Sequence, residues 1–282
     1  AQMLQASAVL TGACATEQRL ALDAFGEGWG WRRGGSSAAW RELMQRQACA
    51  ERSTVSQTCG AVDWQQQHPW LDSVASAADA QLSIGVDNLA PCRWHPASLW
   101  LGVGCERDTS LELVQRAIRD VLDQGGLAED AVAGLASIDR KADEPALLAL
   151  IQQQQWCFRT YGATDLASVT VPTPSEVVRA EMGTASVAEA AALLAAGEGA
   201  ALRQSKVIRH AGPGEKGAVT VAVAEARLPF APSRGELHLI GSGPGDPSLL
   251  SGDARQALAR CTAWVGYGLY LDLLEPLRQV HQ

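Results

Sequence analysis

The sequence lacks several features that define specialised classes of protein. Its 23 Lys and Arg residues face 31 Asp and Glu residues, giving a net charge of −8, which disfavours nucleic acid and anionic membranes as main partners because both require clustered positive charge. No apolar run reaches the roughly 20 residues that cross a bilayer. The opening AQMLQASAVLTGA also lacks the charged-then-apolar layout of a signal peptide. We therefore expect a cytoplasmic protein.

The cysteines form no Cys-x-x-Cys pair. There are seven of them, an odd number, at positions 14, 49, 59, 92, 105, 157 and 261. This pattern predicts free thiols in a reducing compartment, with neither a disulfide framework nor a zinc site, so we expect no bound metal.

Hydrophobic residues make up 47% of the sequence, which indicates a globular protein. The length of 282 residues is typical of roughly two domains. Residues 27–96 are rich in Trp, Gln, Ser and Gly and predict a small α+β module with a helix near Ser37 to Gln47. Six of the nine tryptophans lie there: Trp29, Trp31, Trp40, Trp64, Trp70 and Trp94. We interpret them as core side chains of a small module, with ligand stacking as the alternative.

Residues 97–228 alternate between apolar strand-like runs and helical patterns. The strand candidates are SLWLGVG, AVAGLASI, WCFRTYGA, KVIRH and GAVTVAVAEA. This alternation predicts a layered α/β domain with a mostly parallel sheet and flanking helices. Capping boxes, in which Ser or Thr precedes Glu by three residues, are predicted at Thr109–Glu112, Thr173–Glu176 and Ser186–Glu189, and Asp143 is predicted to cap another helix.

Polar side chains follow two of these strands directly. They are Cys105, Glu106 and Arg107 after the first strand, and Asp139, Arg140, Lys141 and Glu144 after the second. Ligands bind at the carboxyl ends of strands in open parallel sheets, so these groups should converge. Each also has a plainer interpretation: Cys105 as a small buried side chain, Glu144 as a helix-start carboxylate, and Ser186 with Glu189 as a cap.

A glycine-rich turn, Gly241-Ser-Gly-Pro-Gly-Asp246, follows the apolar run ELHLI. Pro247 stands where the third glycine of a dinucleotide-binding fingerprint should be, and the Gly-Lys-Ser/Thr of a phosphate-binding loop is missing. A nucleotide-dependent oxidoreductase is therefore a disfavoured alternative, and a generic strand-to-helix turn is another.

The full string LHLIGSGPGDPSLL, followed by ARQAL and VGYGLYLDLL, resembles the amino-terminal start of the tetrapyrrole methyltransferases, the precorrin-3B C-17-methyltransferase branch in particular. The resemblance implies an S-adenosylmethionine site that includes Gly241, Gly243, Pro244, Gly245 and Asp246. It also implies a homodimer formed through the methyltransferase domain. Because the chain from Gly235 is too short for an α/β domain, we expect a truncated domain that continues past Gln282.

Residues 97–228 resemble the carboxy-terminal domain of cobalt-precorrin-5A hydrolase. The matching stretches are LWLGVGCERDTS, SIDRKADEPALLAL, TPSEVV, GTASVAEAAALLAAG and SKVI, with Asp108 at a position where that family usually has glycine. Residues 27–96 resemble the middle domain of this hydrolase and residues 1–26 the tail of its first domain. Residues 229–234 then form a linker and residues 235–282 the start of the methyltransferase.

The resemblance implies a corrin-ring enzyme, a hydrolase fused to a methyltransferase, that opens the lactone of cobalt-precorrin-5A with release of acetaldehyde. Cobalt would enter only as part of the small-molecule corrinoid substrate. The candidate catalytic residues are Asp139, Lys141, Glu144 and Cys105, with Arg107, Ser186 and Lys206 as substrate ligands. A non-catalytic corrinoid-binding or carrier module is the alternative.

Overall fold

The computed structural model describes residues 20–60, 62, 64–65, 71–176, 178, 182–230, 238–241, 246–261 and 264–278. The chain divides into two compact units, residues 1–231 and 232–282. The boundaries predicted near residues 26 and 96 both fall inside the first unit and stay predictions. No helix in the described ranges combines the length and the apolar composition that a bilayer crossing requires.

The first part of unit 1 is a five-stranded sheet with one long helix. Its elements are β1 (Arg32–Gly35), α1 (Ser37–Ala48), β2 (Ser53–Gln57), β3 (Leu71–Ser73), β4 (Leu82–Ile84) and β5 (Cys92–His95). The strand order is β1-β5-β4-β2-β3, antiparallel between β1 and β5 and parallel elsewhere. Helix α1 confirms the helix predicted at Ser37, and the Ser36 side chain caps it by accepting from the Ala39 N–H at 3.1 Å.

The tryptophans of this part fill its core. Trp31, Trp40, Trp64 and Trp94 are buried in one cluster, with Trp29 packed against its edge. The rings lie edge to face or stacked; for example, the centroids of Trp40 and Trp94 are 5.7 Å apart. The core interpretation is confirmed for these residues, while Trp70 lies outside the described residues.

The second sheet carries the flanking helices. Its elements are β6 (Leu99–Cys105), α2 (Leu111–Gly125), β7 (Val132–Ile138), α3 (Pro145–Gln154), β8 (Cys157–Tyr161), α4 (Ala163–Ala167), α5 (Val187–Ala196), β9 (Ala201–His210) and β10 (Ala218–Glu225). Apolar residues of α2 and α3 pack on one face of the sheet, and those of α4 and α5 pack on the other. The predicted layered α/β domain is therefore present.

The sheet is mixed, with two parallel and two antiparallel strand pairs, so the prediction of a mostly parallel sheet holds only in part. The strand order is β8-β7-β6-β10-β9, in which β6, β7 and β8 run parallel while β10 is antiparallel to both β6 and β9. The cause is the short connection across residues 211–217, because only antiparallel neighbours can be joined by so few residues.

Helix α5 lies unusually close to β6. A Cβ atom built on Gly102 would lie only 1.8 Å from the backbone oxygen of Ala188. Glycine is therefore required here by the approach of the helix backbone. This contact brings the start of α5 next to the carboxyl end of β6.

Two of the three predicted capping boxes are wrong. The N-cap of α2 is Ser110, whereas the Thr109 hydroxyl donates to the Glu106 carbonyl at 2.9 Å. Ser175, and not Thr173, accepts from the Val178 N–H. The third box is half present, since Ser186 caps α5. Likewise α3 begins after Glu144, so Asp143 does not cap it.

The two ends of this α/β segment lie side by side. The Phe230 N–H donates to the Ala97 carbonyl at 2.7 Å, and the Ala226 N–H donates to the Ser98 carbonyl at 2.8 Å. The Phe230 ring also packs edge to face on Trp100 at 5.3 Å. Residues up to Phe230 therefore belong to unit 1. The linker was predicted at residues 229–234, so its first two residues are part of the packed domain.

The described residues of unit 2 form two helices, α6 (Gly252–Arg260) and α7 (Gly268–Leu274), with single-turn 3-10 segments at Pro247–Leu249 and Glu275–Leu277. Leu250, Leu258 and Leu274 form its small core. The strand predicted for GELHLI is not seen in its described part, residues 238–240. A strand needs a pairing partner, and the described part of this unit contains none.

Candidate functional site

A cavity of about 490 Å³ opens at the carboxyl ends of β6 and β7, between these strands and the start of α5. Its size is that of an ordinary small-molecule site. It is lined by Gly104, Cys105, Glu106, Arg107, Arg140, Lys141, Ser175, Val178, Met182, Ser186, Val187, Ala188, Lys206, Ile208, Ala218 and Thr220. The convergence predicted from the strand ends is therefore present for Cys105, Arg107 and Lys141.

The loops after β6 and β7 are joined by Arg107. Its guanidinium donates to the Asp143 carboxylate at 2.6 Å and to the Arg140 carbonyl at 2.5 Å. The hydrogen bond from Arg107 holds the pKa of the Asp143 carboxyl below its usual value. Asp143, predicted as a helix cap, instead fixes a cavity-lining arginine.

Glu144 lies behind the cavity and does not line it. The residue is 0% exposed. One carboxylate oxygen, Oε1, accepts the Asp108 backbone N–H at 2.9 Å, and the other, Oε2, accepts the Lys141 ammonium at 3.2 Å. Arg107 approaches Oε2 at 3.6 Å. The carboxylate is thus a buried acceptor for groups from both loops.

Asp139 is not brought into the site. The residue is exposed, its carboxylate accepts the Arg140 backbone N–H at 2.7 Å, and it is not among the residues that line the cavity. It occupies the first position of the single turn Asp139–Lys141 that follows β7. The side chain therefore shapes the turn from which Arg140 and Lys141 reach the cavity.

Cys105 lines the cavity as a partly buried thiol. Burial raises its pKa to about 11, and Lys141 only partly offsets this. The thiolate is the nucleophilic form of cysteine, so the group is a poor nucleophile near neutral pH. The geometry favours Cys105 as an apolar wall of the cavity.

The opposite wall is built around a second buried carboxylate, Glu189. Its Oε1 accepts the Thr173 hydroxyl at 2.6 Å and the Lys206 backbone N–H at 3.1 Å. The Lys206 ammonium donates to the Thr173 carbonyl. Ser186 lines the cavity while its hydroxyl oxygen accepts the Glu189 N–H at 3.4 Å. The predicted ligands Lys206 and Ser186 thus lie together on this wall, fixed by Glu189.

The polar side of the lining is rich in cationic side chains. Four cationic residues, Arg107, Arg140, Lys141 and Lys206, line the cavity, and Glu106 is its one acidic residue among the described residues. Apolar side chains such as Met182 and Ile208 form much of the remaining surface. Such a combination suits a ligand with a broad apolar body and peripheral carboxylates.

Sequence reasoning missed the positioning roles of Thr173 and Glu189. The spacing Ser186-x-x-Glu189 indicated a cap and gave no sign that the carboxylate reaches across to Thr173 and Lys206. Glu106 and Arg140 directly follow strands in the sequence but are not among the predicted site residues. Their position directly beside Cys105 and Lys141 was the available signal.

The residues proposed for S-adenosylmethionine lie in unit 2. The Asp246 carboxylate accepts the Ser248 N–H at 2.8 Å and starts the turn Pro247–Leu249. That hydrogen bond lowers the pKa of Asp246. A Cβ on Gly241 would meet open space. Gly243, Pro244 and Gly245 lie outside the described residues.

Comparison with known proteins gives a consistent assignment for the cavity-bearing segment. Residues 99–224 match the model of the family described as "Cobalamin synthesis G C-terminus". Every residue that lines the cavity lies in this range. Protein CobE of Sinorhizobium sp is 38% identical over 135 residues, which cover 47% of this chain and 87% of that protein.

Two further likenesses extend the comparison. Cobalt-precorrin-5A hydrolase of Priestia megaterium is 25% identical over 219 residues, which cover 70% of this chain. The matched part spans only 58% of that hydrolase. The crystal structure of CobE, a protein from the cobalamin (vitamin B12) biosynthetic pathway, has 31% sequence identity and a TM-score of 0.40, covering 45% of this chain and 92% of that one.

Proposed function

The chain belongs to the family of Protein CobE, and from that premise we propose that it acts in cobalamin biosynthesis on a corrinoid whose peripheral carboxylates bind in the cavity of unit 1. The observation that carries the proposal is the set of four cationic residues around a partly apolar cavity in the family-matching segment. Charge-assisted hydrogen bonds from Arg and Lys are the usual way of binding carboxylates.

The proposed reaction is the lactone opening of cobalt-precorrin-5A. Water adds to the lactone carbonyl, and the ring oxygen leaves as an alkoxide, whose electron pair then forms the aldehyde carbonyl. Cleavage of a carbon–carbon bond then releases a two-carbon fragment as acetaldehyde, and the carbon left behind is protonated. This chemistry needs a base for water and a cation for the developing oxyanion.

Glu106 is the proposed base, in place of Asp139 or Glu144. It is the acidic residue that lines the cavity among the described residues, whereas Asp139 lies outside the lining and both oxygens of Glu144 are engaged. Lys141 lines the same region and can stabilise an oxyanion.

The test mixes the full chain with cobalt-precorrin-5A and follows both the visible spectrum of the corrinoid and the release of acetaldehyde. We expect both signals in the unsubstituted protein. Glu106→Gln should lower acetaldehyde release by about 10² or more while binding is kept, the range for a lost general base. Lys206→Met should weaken binding, and Lys216→Met, an exposed lysine outside the cavity, is the matched control.

A second candidate function is a corrinoid-binding or carrier module without hydrolysis. It is favoured by the lining of the cavity, in which the described residues include a single acidic one, since lactone opening with carbon–carbon cleavage involves more than one proton transfer. Binding without acetaldehyde release would support this candidate and reject the hydrolase. Absence of any spectral shift would reject both.

For unit 2 we propose an S-adenosylmethionine-dependent C-17 methyltransferase acting on precorrin-3B or cobalt-precorrin-3. Support comes from the string GSGPGDPSLL with VGYGLYLDLL, and from the turn that Asp246 starts. A homodimer through this domain is part of the proposal. Protein expressed from the whole reading frame should transfer one methyl group to the macrocycle, seen as a mass gain; sedimentation would report the dimer. Absence of a mass gain would reject the proposed methyltransferase activity.

A further inference from the structure

We infer that Glu144 is a positioning residue whose buried carboxylate orients Lys141 and the loop after β6, so that Lys141 and Arg107 present their cations to one carboxylate of the ligand. The inference rests on the proposed function, because it requires a carboxylate-bearing corrinoid in the cavity. It assigns to Glu144 a role different from that of general base.

The Glu144 carboxylate contacts both loops that follow the strands, at Asp108 after β6 and at Lys141 after β7. The carboxylate is fully buried and is bonded to the Asp108 backbone and to the Lys141 ammonium, whose side chain is 7% exposed. Lys141 and Arg107 line the cavity, whereas Glu144 does not. One buried side chain therefore connects the two post-strand loops that supply the cations.

The same contacts leave Glu144 unsuited to proton abstraction. A general base needs an oxygen within hydrogen-bond reach of the water it activates. Here Oε1 is bonded to a backbone N–H and Oε2 to an ammonium. Without Glu144, the Asp108 N–H and the Lys141 ammonium would lose their acceptor, and the two loops would keep only the link that Arg107 makes to Arg140 and Asp143.

Electrostatics and geometry predict opposite changes in ligand affinity when Glu144 is replaced by a neutral residue. By Coulomb's law alone, removing a negative charge beside Lys141 strengthens the attraction of the cavity for a carboxylate. If the carboxylate orients the two cations, Glu144→Gln instead weakens binding, because the amide cannot keep both contacts with the same strength. The sign of the change in affinity therefore separates the two effects.

The experiment measures the dissociation constant of the full chain for cobyrinic acid, a corrin with free peripheral carboxylates, by its visible spectrum. We expect Glu144→Gln to bind about tenfold more weakly, the effect of losing one charge-assisted contact. Glu112→Gln, an exposed acid on α2 outside the cavity lining, removes the same charge and should bind as the unsubstituted protein does. Thermal unfolding verifies that each variant is folded.

Each outcome decides a different point. Equal or tighter binding by Glu144→Gln overturns the positioning role while the proposed function stands. Acetaldehyde release that falls in Glu144→Gln with unchanged binding also overturns it, in favour of general-base catalysis. If the unsubstituted chain does not bind cobyrinic acid, the proposed function fails and the positioning role fails with it.

Should Glu144→Gln not fold, Glu144→Asp replaces it. The charge remains, but the shorter side chain cannot span both partners, so weaker binding is again expected.

Discussion

Asp108 donates its backbone N–H to the Glu144 carboxylate at 2.9 Å while adopting a left-handed backbone with φ of 56°. The loop after β6 must turn sharply to direct this N–H toward Glu144. A left-handed conformation costs a non-glycine residue free energy, although Asp tolerates it better than most.

The strain at Asp108 can be measured by paired substitutions. We expect Asp108→Gly to be more stable than Asp108→Ala by about 1 kcal/mol, because a Cβ atom disfavours the left-handed region. Chemical denaturation of both variants gives the free energy of unfolding. Equal stabilities would show that the loop relaxes to another conformation when the residue is changed.

The close approach of α5 to β6 predicts a severe effect at Gly102. Gly102→Ala should lower the free energy of unfolding by about 1–3 kcal/mol or more, since its Cβ would collide with the Ala188 carbonyl. Gly104→Ala is the matched control: its Cβ would lie at an ordinary 3.6 Å from Val187. Denaturation midpoints should separate the two variants, and a stable Gly102→Ala would mean that α5 can shift without cost.

Removing the Thr173 hydroxyl leaves the buried Glu189 carboxylate with one acceptor site unpaired. We expect Thr173→Val to reduce the free energy of unfolding by about 1–3 kcal/mol, the usual cost of an unsatisfied buried group. Thr170→Val, at an exposed site nearby, should change it by less than about 0.5 kcal/mol. Similar effects at both positions would contradict the importance of the Glu189 contact.

Glu215 predicts a pH-dependent contribution to stability. Its hydrogen bonds from Arg116 and Gly212 lower its pKa from 4.5 to about 2. Because the folded-state pKa is depressed, the stabilisation is complete above about pH 4.5 and is lost as the pH falls toward 2. The difference in unfolding midpoint between the unsubstituted protein and Glu215→Gln should shrink over that interval. Arg116→Gln should give the same profile, and a difference independent of pH would refute the assignment.

The Cys105 thiol should react slowly. Burial raises its pKa to about 11, whereas Cys49 is an exposed free thiol. Iodoacetamide at pH 8 should therefore modify Cys49 well before Cys105, as peptide mass spectrometry can show, because the thiolate is the reactive form. Faster modification of Cys105 would restore it as a candidate nucleophile.

The sequence predicted the elements of unit 1 better than their pairing. Helix α1 and the strands of the second sheet appear close to their predicted positions, since periodic apolar patterns report burial directly. The antiparallel pairing of β10 was missed because strand patterns do not specify direction. The N-caps were displaced by one residue at Ser110 and by two at Ser175, because several hydroxyl and carboxylate residues adjoin each helix start and compete for the role.

The candidate site was predictable in position but not in function. Strand ends located Cys105, Arg107 and Lys141, which do line the cavity. Which carboxylates face the cavity depends on side-chain direction, and neither Asp139 nor Glu144 does. The link from Glu189 to Thr173 joins residues far apart in the sequence and therefore has no local signal.

Ala97 and Phe230 are adjacent, so the chain enters and leaves the segment of residues 97–230 at one place. A domain whose entry and exit points touch can be inserted into another chain, or joined to different neighbours, without rerouting its backbone. For the same reason, a circularly permuted protein in which a short peptide links residue 230 to residue 97 should keep the fold of this segment and its cavity.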